Sequence, residues 1–198
     1  MTDATEAATT PNPGAASRRI VAYFFLSLDG VMEAPERWHL PYFNEEMGAA
    51  VGAGFASSDM LLMGGTLYRE WSRYWPASQD EPIAGLMNGL PKYVVSNSLD
   101  RADWTNSTLI RRADAAAALR DLKARTGKDI AVSGSATLVR WLLAEGLLDE
   151  LHLLVHPVVV GTGRRLFEPG MAPATLELVT ARPFATGVVY QIYRPAAI

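Results

Sequence analysis

Two short stretches carry small residues where an apolar run gives way to a helical pattern. One is Met63-Gly64-Gly65-Thr66-Leu67; the other is Val132-Ser133-Gly134-Ser135-Ala136-Thr137. A strand that turns tightly into a helix presents free backbone N–H groups and the positive end of the helix dipole. Such a junction can hold an anion such as a phosphate, and glycine lets that anion approach the main chain closely. Small residues at one such turn have an ordinary structural explanation. Two of them, with Ser96-Asn97-Ser98 closing a third apolar run, point to a binding site along the C-terminal edge of a sheet.

Other chemistries find little support. The chain has no cysteine, which excludes disulfides, thiolate catalysis and cysteine-ligated metals. His152 and His156 share a face of one strand but lie about 13 Å apart along it, and neither they nor His39 belong to a metal-binding motif. No metal site is expected. Ser133-Gly134-Ser135 lacks the flanking pattern of a nucleophile elbow. Gly52-x-Gly54 falls inside a helical pattern and Gly161-x-Gly163 between strands, so neither has the strand–turn–helix setting of a dinucleotide fingerprint.

The elements that hold these turns follow from periodicity. Strands are expected at 19–27, 60–63, 92–96, 109–110 and 130–132. Between them the spacing predicts helices at 41–56, through Tyr68, Trp71 and Trp75 as far as Pro76, at 80–90 with Leu86 and Leu90 inward, at 115–126 capped by Asp114, and at 136–145. Beyond 150 the pattern is strands only: 150–156, 158–160, 174–181 and 187–194. The fold class is therefore α/β, a mostly parallel sheet with an antiparallel C-terminal part and helices on both faces.

A chain of 198 residues suits one domain, here 18–198. Residues 1–17, rich in Thr, Ala and Pro, are expected to be a disordered tail and do not resemble a signal peptide. No apolar run is long enough for a membrane span, and at a net charge of −3 no basic aromatic stripe invites nucleic acid. A cytoplasmic location is expected.

Six segments occur in a telling order: SLDG at 27–30, WHLP at 38–41, LLMGGTLY at 61–68, KYVVSNSL at 92–99, VSGSATL at 132–138 and DELHLLVHPVVVGTGRRLF at 149–167. Together, over about residues 19–194, they resemble the dihydrofolate reductase superfamily. The branch they resemble is the C-terminal reductase domain of the bifunctional riboflavin-biosynthesis deaminase/reductase. The resemblance implies a dihydrofolate-reductase-like fold, bound NADPH and a homodimer. It maps cofactor contacts onto Gly64, Gly65, Thr66 and Leu67, onto Ser96 and Asn97 near the adenosine, and onto Ser133, Gly134, Ser135, Ala136 and Thr137 at the diphosphate.

The chain departs from that pattern twice. Gly65 stands where the family usually has an arginine for the 2′-phosphate of NADPH; Arg111 or Arg112 could compensate, and NADH is not excluded. Phe43 stands where dihydrofolate reductase has its carboxylate, with Glu45 and Glu46 following. Asp29, at the family's sugar-binding position, and Glu45 are the candidate catalytic acids, with His39 or water as other proton donors. Trp38, His39, Tyr42 and Phe43 could wall the acceptor pocket, and Gly161 with Arg164 or Arg165 could hold an anionic group of the substrate. The function implied is an NAD(P)H-dependent reductase of a small, phosphorylated or heterocyclic substrate, similar to 5-amino-6-(5-phosphoribosylamino)uracil reductase. Without cysteine, these residues are not expected to include a zinc-binding deaminase domain. The alternatives are a non-catalytic nucleotide- or pterin-binding protein of the same fold, and a dimeric scaffold with strands 150–156 and 187–194 at its interface.

Overall fold

The computed structural model describes residues 17–80 and 82–196; the expected disordered tail, apart from Ser17, lies outside the described residues. The strands are β1 (Ile20–Ser27), β2 (Ser58–Gly64), β3 (Lys92–Val95), β4 (Ser107–Ile110), β5 (Asp129–Ser133), β6 (Glu150–His156), β7 (Leu176–Pro183) and β8 (Val189–Pro195). The helices are α1 (Glu45–Ala56), α2 (Gly65–Tyr74), α3 (Ile83–Gly89), α4 (Ala115–Ala124) and α5 (Ala136–Ala144). All eight strands join one sheet in the order β4-β3-β2-β5-β1-β6-β8-β7. The first six strands in the chain run parallel, so their C-terminal ends share one edge; β7 and β8 are antiparallel.

Alternation along the strands divides the core. Ile20, Ala22, Phe24 and Leu26 of β1 face α4 and α5, packing with Leu119, Leu122, Leu138 and Leu142. On the opposite face Leu61 and Met63 pack with Tyr68 of α2 and Met87 of α3, while Met47 of α1 meets Leu154, Phe184 and Val188. Because β5 inserts between β2 and β1, the chain reverses direction across the sheet at their C-terminal ends, where open α/β sheets leave a crevice.

Local chemistry corrects several element boundaries. Pro41 lies in a separate 3-10 turn, Leu40–Tyr42, and α1 begins only after Asn44, whose Oδ1 accepts from the Met47 nitrogen at 3.0 Å. Asn44 followed by two glutamates is an N-cap with acids in the first turn, a stronger start signal than the proline. Asp114 precedes α4, but its side chain caps nothing. In α3, Ala84 and Met87 are inward, whereas Leu86 is 41% exposed. Residues 158–160 are not a strand. β6 sits inside the sheet between β1 and β8, so it offers no free edge to a partner.

Candidate functional site

Three strand ends converge on the C-terminal edge. The Gly64 nitrogen, at the end of β2, donates to Ser135 Oγ at 3.0 Å, ahead of α5. Gly134 and Ser135 both adopt left-handed backbone, φ +61° and +57°. For Ser135 that conformation is uncommon, and such residues concentrate at ligand-binding turns. The amides of Ala136 and Thr137 open α5, where a helix has no intrahelical acceptors for its N–H groups. Gly65 begins α2 hard against the end of β3: a Cβ there would sit 2.6 Å from Ser96 Oγ. Glycine at 65, where the resembling family has arginine, lets α2 start against Ser96; any side chain here would force Ser96 to shift.

Guanidinium groups surround this end. Arg111 Nη1 donates to the Leu99 carbonyl at 2.6 Å and the Ser96 carbonyl at 3.4 Å. Arg69, which the sequence reading does not single out, donates to Ser98 Oγ at 2.6 Å. Arg112 stacks on Trp141 at 3.8 Å, and its backbone N–H donates to Asn97 Oδ1 at 3.0 Å. Glycines that allow close backbone approach, a helix N-terminus and nearby arginines suit a dinucleotide diphosphate. The donor set fits the cofactor implied by the resemblance.

From these turns a groove of about 1430 Å³ runs over the face covered by α1, α2 and α3. Thr66, Leu67, Ser133, Gly134, Ser135 and Ala136 line one end. Trp38, His39 and Phe43 line the other, with Phe25, Phe55, Trp71, Tyr74 and Trp75 adding aromatic walls. Gly64, Gly65, Ser96, Asn97, Arg111 and Thr137 do not line the groove themselves but adjoin its small-residue end. Tyr42 stands behind the wall, its ring 5.7 Å from that of buried His156. His39 stacks on Phe25 at 4.5 Å. Burial pushes the pKa of His39, and that of His156, below the ordinary imidazole value.

The two carboxylates assigned to proton transfer have other surroundings. Asp29 lies off the groove lining. It accepts from Ser27 Oγ at 2.7 Å and from the nitrogens of Val160 and Gly161 at 3.0 and 2.9 Å, and its backbone carbonyl takes Arg165 Nε at 2.9 Å. Those hydrogen bonds hold the carboxyl well below the usual range, so Asp29 is an ionised latch between two loops. Glu45 is exposed on the first turn of α1 and also lies off the groove lining. Glu46 instead receives the Ala185 nitrogen at 2.7 Å, pinning the β7–β8 turn. Arg164 does line the groove, yet Glu33 holds its Nε at 2.7 Å and its backbone nitrogen at 3.0 Å. Gly161 serves through its amide to Asp29 and does not line the groove.

A polar chain under the groove escapes the sequence reading. Glu150, buried at the start of β6, accepts from Arg19 Nη1 at 2.8 Å and from Arg194 Nη2 at 2.8 Å. Its other oxygen meets His152 Nε2 at 3.0 Å, and His152 Nδ1 meets the Tyr190 hydroxyl at 2.7 Å. His152 and Tyr190 both line the groove. The only trace in the sequence is the Glu150-x-His152 spacing, which puts both on one face of a strand.

The arrangement can grip phosphates at one end and stack a planar molecule at the other. A family model described as the RibD C-terminal domain matches residues 18–190. The uncharacterized protein YyaP of Bacillus subtilis is 30% identical over 184 residues, 89% of this chain and 94% of that protein. Among solved structures, a pyrimidine reductase-like protein from Corynebacterium diphtheriae superposes with a TM-score of 0.66 at 15% identity, covering 91% of this chain and 93% of the other. A dihydrofolate reductase from Enterococcus faecalis, complexed with NADP(H), superposes with a TM-score of 0.61 at 12% identity, over 90% and 97% of the two chains. These superpositions share the dihydrofolate-reductase-like fold.

Proposed function

The chain belongs to the RibD C-terminal domain family, and from that premise we propose that it is an NAD(P)H-dependent reductase of a small, planar, heterocyclic acceptor. One observation carries the reading: the small-residue ends of β2 and β5 open into the same groove as the aromatic wall of 38–43. Ser133 to Thr137 and Gly64 to Leu67 would hold the diphosphate, with Ser96, Asn97 and Arg111 toward the adenosine. Bound nicotinamide would supply a hydride. The protein's share is to orient donor and acceptor and to keep water out. Trp38, His39 and Phe43 would flank the acceptor ring. With Arg164 paired to Glu33 and Arg165 to Asp29, a flat ring system suits that end better than a phosphorylated group.

The family's riboflavin-pathway chemistry, a homodimer and a cytoplasmic location belong to the same reading. β7, exposed along its length with Leu178 and Val179 outward, is an edge on which a second copy could seat. Because Asp29 and Glu45 lie off the groove, a ligand-binding protein without turnover is the second reading. Fluorescence titration with NADPH and NADH tests both readings, since three tryptophans line the groove. Saturable quenching, followed by NADPH oxidation with an acceptor, is the expected result. Failure to bind either cofactor at millimolar concentration contradicts the reductase reading, and binding without oxidation of any acceptor favours the second.

A further inference from the structure

Reduction of a carbonyl or imine needs a proton as well as a hydride; Asp29 and Glu45 do not line the groove, and His39, which does, is stacked on Phe25 with its pKa lowered by burial. Resting on the reductase reading above, we propose that Tyr190 delivers that proton, that His152 reloads Tyr190, and that Glu150 orients His152.

The geometry sets the direction of each hydrogen bond. The carboxylate of Glu150 accepts, so His152 Nε2 carries a proton; Nδ1 of the neutral ring then accepts from the Tyr190 hydroxyl. When His152 takes up a second proton, its Nδ1–H donates to the Tyr190 oxygen and the phenolic proton is released to face the groove. Reduction then balances. The acceptor carbon gains a hydride from reduced nicotinamide, and the acceptor oxygen or nitrogen gains the phenolic proton. Tyr190 recovers a proton from His152 Nδ1, and His152 returns to the neutral tautomer until water reprotonates it.

The surroundings separate the roles of the three groups. Burial alone would raise the Glu150 carboxyl, but hydrogen bonds from His152 and Arg194 and the charge of Arg19 hold it below its ordinary value. Burial pushes Tyr190 up to about 12, so the phenol does not lose its proton unaided. Burial also lowers His152, against the opposing pull of Glu150. The titratable groups facing His152 are Glu150 on its own strand, Tyr23 on β1, Asp129 on β5, Tyr190 on β8 and Arg19 ahead of β1. Arg182 of β7 acts on Tyr190. α1 turns Ala50, Val51 and Gly54 to the groove and adds no charge there.

Two measurements test the relay. The chain contains three histidines, so imidazole nitrogen NMR can follow His152 directly. The expected state near neutral pH is the Nε2–H tautomer, and Tyr190→Phe should shift the Nδ1 resonance. Reduction of 2-naphthaldehyde, an uncharged planar carbonyl probe, is then measured with NADPH. Tyr190→Phe, which keeps the ring against Phe184, is expected to slow reduction by ~100-fold or more while leaving NADPH affinity within twofold. The wild-type rate should fall as pH rises through the His152 titration seen by NMR, and His152→Gln should flatten that profile. A Tyr190→Phe rate within threefold of wild type overturns the relay. So does a rate profile that ignores the His152 titration, or a wild-type chain that binds NADPH but leaves the aldehyde untouched. Absence of NADPH binding by the wild type instead removes the reductase reading beneath it.

Discussion

The side-chain hydroxyl of Ser135 accepts a hydrogen bond of 3.0 Å from the backbone nitrogen of Gly64. This contact ties the turn after β5 to the turn after β2, two stretches 71 residues apart. It also holds Ser135 in the left-handed backbone region that a non-glycine residue rarely adopts. The two turns form one surface because of this contact.

Loss of the contact should loosen that surface. A net hydrogen bond of about 1 kcal/mol corresponds to roughly fivefold in affinity, so Ser135→Ala is expected to weaken NADPH binding by about fivefold. Gly134→Asp should do more. Any side chain strains the left-handed backbone of residue 134, but aspartate adopts it more readily than most and its Cβ would meet only the Leu67 side chain, at 3.4 Å, so the fold should survive with some loss of stability. Its carboxylate would face the diphosphate, and a drop of more than tenfold is expected. Fluorescence titration reads the affinities and a thermal melt checks the fold.

Gly65→Arg restores the residue of the resembling family but should not restore its role. The new Cβ would come within 2.6 Å of Ser96 Oγ, and Ser96 is buried. Overpacking of this kind costs roughly 1–3 kcal/mol, against up to about 1 kcal/mol gained in helix propensity. Lower thermal stability and no gain in NADPH affinity are expected; Ser96→Gly in the same chain should recover part of the stability. An arginine variant that melts higher and binds NADPH more tightly would contradict this account.

With Gly65 packed against Ser96, the reading proposed above gives any contact to the 2′-phosphate to Arg111. Its guanidinium already approaches the end of β3 through the Ser96 and Leu99 carbonyls. Arg111→Ala should weaken NADPH about tenfold more than NADH, the scale of one charge-assisted contact. Equal losses for both cofactors would make Arg111 a loop brace alone.

Much of this was legible in the sequence, for identifiable reasons. Uninterrupted apolar runs such as Leu61–Met63 and Ile130–Val132 mark buried parallel strands, and the glycines and serines after them mark the turns. α1 starts after Asn44 and not at Pro41, because a side-chain cap is a stronger start signal than a proline. Arg164 and Asp29 carry the residue types of a site, but their charges are spent on Glu33 and on two backbone amides, which only folding reveals. Tyr190 lies 38 residues from His152, and only the antiparallel pairing of β6 with β8 joins them.

The Asp29 latch predicts a pH dependence. Its carboxyl titrates well below the unfolded value of about 3.9, so its stabilisation is complete above that value. It is lost as pH falls through the folded pKa. Asp29→Asn should therefore melt lower than wild type near neutral pH. The difference should shrink on acidification and vanish once Asp29 is protonated in both states. Thermal melts of the two chains between pH 7 and strongly acidic buffer provide the check, and a gap independent of pH would rule out the ionised latch.

Lys92 makes the opposite case, a buried cation that the apolar run KYVV hides. It is fully buried at the start of β3, and its Nζ donates to the carbonyls of Asn88, Leu90 and Thr105 at 3.0, 2.7 and 3.1 Å. It also lies 4.2 Å from the centre of the Trp104 ring. Lys92→Met preserves length but leaves three carbonyls without their donor, an expected loss of roughly 3 kcal/mol. For a chain of this size that corresponds to a melting temperature lower by roughly 10 °C. Burial pushes the Lys92 pKa down to about 8, below the unfolded value of about 10.4. Between those values the unfolded chain binds more protons, so stability should rise with pH across that window. Lys92→Met should remove that rise, and comparing the two melts at pH near 8 and 10 measures both effects. A methionine variant as stable as wild type, with the alkaline rise intact, would show that the three carbonyls find other partners.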